Sequence, residues 1–271
     1  MTVRHSIPMA MATLAVGIQR LIASRCRTDA GRRGVNEVPS NPEEGKAAIW
    51  HPSPNFNARR NGLKPQLVVL HYTAMEQAEA ALARLCDPQY EVSAHYLIGA
   101  DGTLWQMVRE ADRAWHAGAG EWCGHGDINS RSIGIELDNR GDHPFSAQQM
   151  ARLETLLPAI LQRWEISPTG VIGHSCMAPG RKYDPGPRFD WARLARQRLA
   201  APVPRVTAAA PPIPQEPRAR AELFRALAQA RGFTADVDDA TLLQAVRLRF
   251  RPGQRGPLSD ADIQLLLPGN R

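Results

Sequence analysis

The 271-residue chain has little cysteine, no long apolar run and no large excess of either charge, and each shortage removes a class of protein. Four cysteines, Cys26, Cys86, Cys123 and Cys176, are too few and too scattered for a disulfide scaffold. None stands in the C-x-x-C pair of a thiolate zinc knuckle. No uninterrupted apolar stretch approaches the roughly 20 residues of a membrane-spanning helix, so no transmembrane span is predicted. The net charge of +6 hints at nucleic acid, but residues 47–200 hold 16 basic and 16 acidic groups, and the excess sits in the flanks. A basic tail is a solvated or envelope-associated segment more often than a sequence reader, so no nucleic-acid partner is predicted. With 43% hydrophobic and 22% charged residues, wholesale disorder is excluded too.

What is present divides the chain into four parts. Residues 1–46 read as a leader or disordered extension. In it residues 7–18 (IPMAMATLAVGI) have the length of a signal-peptide apolar region, and Ala23-Ser24 suit a cut. LIASRC is not a lipoprotein box, because Arg25 stands where a small residue must precede the cysteine. Residues 47–200 alternate strand and helix signals. Residues 67–70 (LVVL) predict a strand buried on both faces, and Thr73 with Glu76 predicts a capping box opening a helix with inner face Ala78, Ala81, Leu82 and Leu85. Asp101-Gly102 marks a hairpin between residues 94–98 and 103–108. IGIEL (133–137) alternates with period two. Ser146 and Gln149 cap a second helix with the stripe Met150, Leu153, Leu157, Ile160 and Trp164, and residues 171–173 form a short strand. The predicted class is α/β, a mixed central sheet flanked by helices. Residues 201–217 hold six prolines among alanines, a semi-rigid linker. Residues 218–271 predict a small all-α module, with helices over 221–231 and 240–250, too small to stand alone and so expected to dock on the larger part.

Three places carry candidate chemistry. His71 follows four apolar residues at a strand end, where ligand sites of open α/β sheets gather. GHSCMAPGRKYDPGP (173–187) also begins at a strand end and brings His174, Lys182 and Asp184, the last two placed to point the same way if its prolines hold it extended. Two imidazoles and a carboxylate are the ligand set of a zinc hydrolase. Taken singly, His71 reads equally as a structural hydrogen-bonder, Asp184 as a turn residue and Lys182 as a solvated lysine. Glu136 faces away from Ile133, Ile135 and Leu137, and a carboxylate inside a strand must meet water or a cation.

Together VVLHYT, SAHYLIGADG, AWHAG, NSRSIGIELDN and GHSCMAPGRKYDPGP resemble the zinc-dependent N-acetylmuramoyl-L-alanine amidases of the amidase-2 type over residues 50–200. Peptidoglycan recognition proteins and phage T7-type lysozymes share that fold. The resemblance implies zinc held by His71, His174 and Asp184, with Glu136 and Lys182 as the catalytic pair. It further implies substrate contact by His116 and Asn129, and peptidoglycan or muropeptide as substrate. Cys176 replaces an aspartate often found after GHS, and Ala94 stands where the lysozyme branch has a catalytic tyrosine, which favours the glutamate/lysine variant. LLQAVRLRFRPGQRG resembles a helical peptidoglycan-binding domain, with Arg255 in place of the usual acidic residue. Alternatives are a non-catalytic recognition protein or a phage-type endolysin. The expected place is the periplasm or cell envelope, with the cytoplasm as alternative, and the expected state is a monomer. Two further expectations concern smaller features. Cys123 and Cys176 are candidates to pair, and Trp105, Trp115 and Trp122 read equally as a sugar-stacking wall or as core.

Overall fold

The computed structural model describes residues 48–202 and 212–267, so the leader and residues 203–211 of the linker lie outside the described residues. A six-stranded sheet organises the first part: β1 (Ile49–Trp50), β3 (Leu67–Tyr72), β4 (Tyr96–Ile98), β5 (Leu104–Gln106), β7 (Ser132–Leu137) and β8 (Val171–Gly173). Their order is β1-β5-β4-β7-β3-β8. Only β4 and β5, the arms of the Asp101-Gly102 hairpin, pair antiparallel; the other pairs are parallel. A separate ribbon joins β2 (Phe56–Asn57) to β6 (Arg113–Ala114). The mixed sheet flanked by helices is thus observed.

Period-two alternation sorts the two faces. Val68, Leu70, Ile133, Ile135 and Leu137 are wholly buried on one side, against Met150, Leu153, Leu157 and Ile160 of α3 (Ala147–Arg163) and against Trp191 and Leu194 of α5 (Trp191–Arg196). Each such side chain contributes about 1.5–3 kcal/mol by leaving water. Ser146 caps α3 by accepting from the Gln149 N–H. The opposite face holds Val69, His71, Gly134 and Glu136, flanked by two clusters. Toward β4, α1 (Ala78–Cys86) buries Ala78, Ala81, Leu82 and Leu85 against Leu97 and Met107. Toward β8, Val69, Ile172, Cys176 and Met177 share one core with Phe224 and Leu227 of α6 (Pro217–Ala230) and Leu242 and Val246 of α7 (Asp239–Phe250). The helical module, completed by α8 (Asp260–Gln264), therefore packs directly on the sheet.

Local expectations fail in three places. Helix α1 starts at Ala78 with Gln77 as an uncapped N-cap, because Thr73 Oγ1 accepts instead from the Met75 and Asn139 N–H groups and Glu76 pairs with Arg140. Cys176 is a free, wholly buried thiol, so it does not pair with Cys123. Trp122 is core rather than wall, stacked edge-on against Phe233 at 5.0 Å.

Candidate metal centre

The site forms at the carboxyl ends of the parallel strands, where loops leave the sheet and side chains emerge. His71 is the penultimate residue of β3 and is paired in register with Glu136 on β7, so both project from the same face. His174 opens the short helix α4 (His174–Met177) directly after β8. Asp184 returns to it because its carbonyl accepts from the Ser175 N–H at 2.9 Å. Gly173 makes the return possible: a Cβ there would lie 2.7 Å from Pro185 Cδ. The loop between is turned rather than extended, with the Ala178 carbonyl accepting from both the Arg181 and Lys182 N–H groups.

Three ligand atoms converge. His71 Nδ1 lies 2.9 Å from His174 Nδ1 and 2.8 Å from Asp184 Oδ2, and His174 Nδ1 lies 3.0 Å from that same oxygen. All three residues are buried. His174 Nε2 lies on the far side of its ring, 2.8 Å from the Ala117 carbonyl and 3.3 Å from Arg181 Nη2. Burial, reinforced by the neighbouring His174, lowers the His71 pKa to about 4, so its ring is neutral at physiological pH. Burial works against ionisation of Asp184, but hydrogen bonds with His174 and His71 outweigh it and hold its carboxyl well below the usual range. Two imidazole nitrogens and a carboxylate oxygen facing one point suit a divalent cation.

Glu136 supplies a second observation. Its Oε2 is buried with no hydrogen-bond partner among the described residues. Burial, and then the charge of Asp184, push its pKa well above the usual value, with Lys182 opposing. A carboxylate in that position lacks a cation or a polarised ligand. Lys182 itself is exposed on the loop, near enough to act electrostatically on both Glu136 and His71.

His116, and Asn129 on the short helix α2 (Ile128–Arg131), also make contacts within the protein. Asn129 is 7% exposed, and its Oδ1 accepts from the N–H groups of His116 (3.0 Å) and Ala117 (2.8 Å). His116 is half-buried, with Nδ1 at 3.0 Å from His71 Nε2 and Nε2 at 3.2 Å from Ser132 Oγ. His95 is internal, Nδ1 accepting from the Gly134 N–H at 2.9 Å. Residue types alone do not reveal the parts of Ser132, the Ala117 carbonyl and Arg181, whose guanidinium donates to the Ala117 and Ala119 carbonyls. The one signal in the sequence is Gly134, a glycine facing the same side as Glu136.

A mixed sheet carrying two imidazoles, a carboxylate and a neighbouring glutamate at its strand ends is a site that could hold a metal, on a fold of the amidase type. The particular family follows from comparison: residues 61–187 match Amidase_2, N-acetylmuramoyl-L-alanine amidase, and the chain belongs to this family. The N-acetylmuramoyl-L-alanine amidase AmiD of Escherichia coli K12 is 36% identical over 225 residues, covering 74% of this chain and 80% of AmiD. The 1,6-anhydro-N-acetylmuramyl-L-alanine amidase AmpD of Citrobacter freundii is 35% identical over 160 residues, 53% of this chain and 86% of AmpD. The solved complex of E. coli AmiD with anhydro-N-acetylmuramic acid-L-Ala-D-gamma-Glu-L-Lys superposes with a TM-score of 0.65 at 33% identity, covering 76% of this chain and 89% of that one.

Proposed function

We propose that the chain hydrolyses the amide between N-acetylmuramic acid and L-alanine in peptidoglycan fragments, 1,6-anhydro-muropeptides included, with zinc bound by His71, His174 and Asp184. The convergence of three ligand atoms beside the Glu136 carboxyl, whose Oε2 is without a partner among the described residues, carries this reading. Zinc held there would polarise the scissile carbonyl and acidify water toward a pKa of about 7. Glu136, half-buried with its Oε2 short of a partner among the described residues, takes the proton of the attacking water and returns it to the departing amino group of L-alanine. Lys182 supplies positive charge for the oxyanion, worth about 3 kcal/mol by comparison with single oxyanion donors. The sheet floor under His71 and Glu136 fixes their separation, because both sit on adjacent paired strands.

The helical module is read as the part that engages the wall. A cavity of about 950 Å³ opens among Phe224, Leu243 and Leu258 of the module and reaches Tyr183, the residue between Lys182 and Asp184. The chain is assigned to the periplasm or envelope, which amino-terminal sequencing of protein from fractionated cells tests. For the activity, soluble anhydro-muropeptides and intact sacculi are digested side by side. Mass spectrometry should show free stem peptide, abolished by chelation and restored by zinc. Uncleaved substrate with zinc-loaded protein refutes the proposal.

A further inference from the structure

We propose that the dipeptide His116–Ala117 holds both imidazole ligands from behind, with His116 acting as the positioning residue for His71. The inference rests on the zinc-site reading above and adds what aims the two rings. The contacts behind the rings carry it. The Ile128 carbonyl can only accept, so the single proton of the Ser132 hydroxyl goes there, at 2.6 Å. Ser132 Oγ then meets His116 Nε2 at 3.2 Å with lone pairs alone, so the His116 proton is on Nε2. The rings of His71 and His95 lie beside His116, with centroids 5.1 and 5.7 Å away. His116 Nδ1 points the other way and lies 3.0 Å from His71 Nε2. An acceptor at that place holds the His71 ring with Nδ1 turned toward His174 and Asp184, 2.9 and 2.8 Å away. The next residue does the same for His174 through the Ala117 carbonyl at 2.8 Å.

Three features hold the dipeptide in place. Asn129 Oδ1 accepts both of its N–H groups. Ser132 and Asn129 flank the start of β7, the strand that carries Glu136. Gly134 lets the His116 ring lie on that strand: a Cβ there would stand 2.4 Å from His116 Cγ. Partners of this kind that fix a ligating histidine typically account for 10- to 100-fold in metal affinity.

The test measures zinc affinity by competition with a chromophoric chelator for the full chain and for His116→Leu and His116→Asn. Leucine keeps apolar volume but no acceptor, whereas asparagine keeps an acceptor near the Nδ1 position. The expected result is zinc binding about 10- to 100-fold weaker for His116→Leu, and binding by His116→Asn clearly tighter than by His116→Leu. A packing role alone reverses that order, and equal affinities of all three proteins overturn the proposal. If the unsubstituted protein binds no zinc, the zinc site itself fails, an outcome distinct from these.

Discussion

Glu136→Gln should move activity and stability in opposite directions. Glutamine keeps the length of the side chain in central strand β7 and the packing of its neighbours, but it has neither charge nor basicity. Positioned acid–base groups contribute about 10²–10⁴ in rate, so turnover should fall by that factor, about 2.7–5.5 kcal/mol of activation free energy. Zinc content should stay unchanged, because Glu136 is not among the converging ligand atoms. Stability should rise. The Glu136 Oε2 is buried without a partner, and an unsatisfied buried group costs about 1–3 kcal/mol. A neutral amide lowers that cost, and each kcal/mol corresponds to about 2–4 °C in a chain of this size. The pH dependence follows from the sign of the shift. Burial and Asp184 raise the folded pKa of Glu136, so as pH climbs past the unfolded value near 4.3 the unfolded chain loses its proton first. From there the metal-free protein loses stability until the folded pKa is passed. Calorimetry of metal-free protein should therefore show parent and variant alike near about pH 4, with the variant melting higher near about pH 8. Activity of the variant within tenfold of the parent would refute Glu136 as base, and loss of zinc would refute the ligand geometry. Equal melting at the higher pH would refute the orphaned carboxylate.

Other substitutions probe the frame around that residue. Lys182→Ala should cut turnover by about a hundredfold with zinc retained, measured by muropeptide hydrolysis and metal analysis. Gly134→Ala should lower stability by about 1–3 kcal/mol, since its Cβ would meet the His116 ring at 2.4 Å, and should weaken zinc binding in the chelator assay. Asp262→Ala strips the module of a buried acceptor for Arg247 (2.6 Å) and Arg251 (2.8 Å) and should cost about 3–5 kcal/mol in urea unfolding. Hydrogen bonds with Arg247 and Ser259 outweigh burial and depress the Asp262 pKa, so its contribution is present above the unfolded value near 3.9 and is lost as pH falls toward the folded one. The alanine variant should lack that part of the acid sensitivity.

Much of the site is legible in the sequence because its elements obey short periods. Four apolar residues before His71, and the alternation that turns Glu136 away from Ile135, place both on one face from residue order alone. What stays hidden depends on contacts between distant residues. Thr73 and Glu76 have capping-box spacing, yet their side chains engage Asn139 and Arg140, more than sixty positions away. The contact of His116 with His71 is not visible locally, because nothing near WHAG tells that Gly134 leaves room for its ring. Helix α8 escapes notice although Ser259 and Asp262 have capping-box spacing and form that box reciprocally; its five residues are too few to show a helical stripe.

The module packs on the larger part, as its small size leads one to expect, and its contacts extend to the loop of the site. The loop carrying His174, Lys182 and Asp184 is held from the sheet by Pro185 against Gly173, and from the module by Gly180 against α7. Gly180 has a left-handed backbone (φ +76°), and a Cβ there would stand only 2.8 Å from Thr241 Cγ2. Gly232 makes room in the same way for Trp122, whose indole would lie 2.5 Å from a Cβ there. Arg249 closes the seam: its guanidinium stacks 4.1 Å over Trp191, Nη2 donates to the Ala201 carbonyl at 2.8 Å, and Nη1 is buried with no hydrogen-bond partner among the described residues. A buried cation so incompletely satisfied is costly, and it persists only where the surrounding packing holds it in place. Cys176 and Met177, one turn beyond the metal-facing His174, are buried in the core shared with α6 and α7. Separation of the module would expose that core and release one side of the metal-site loop. The helices after the proline-rich linker are therefore part of the frame that aims the ligands, whatever else they bind.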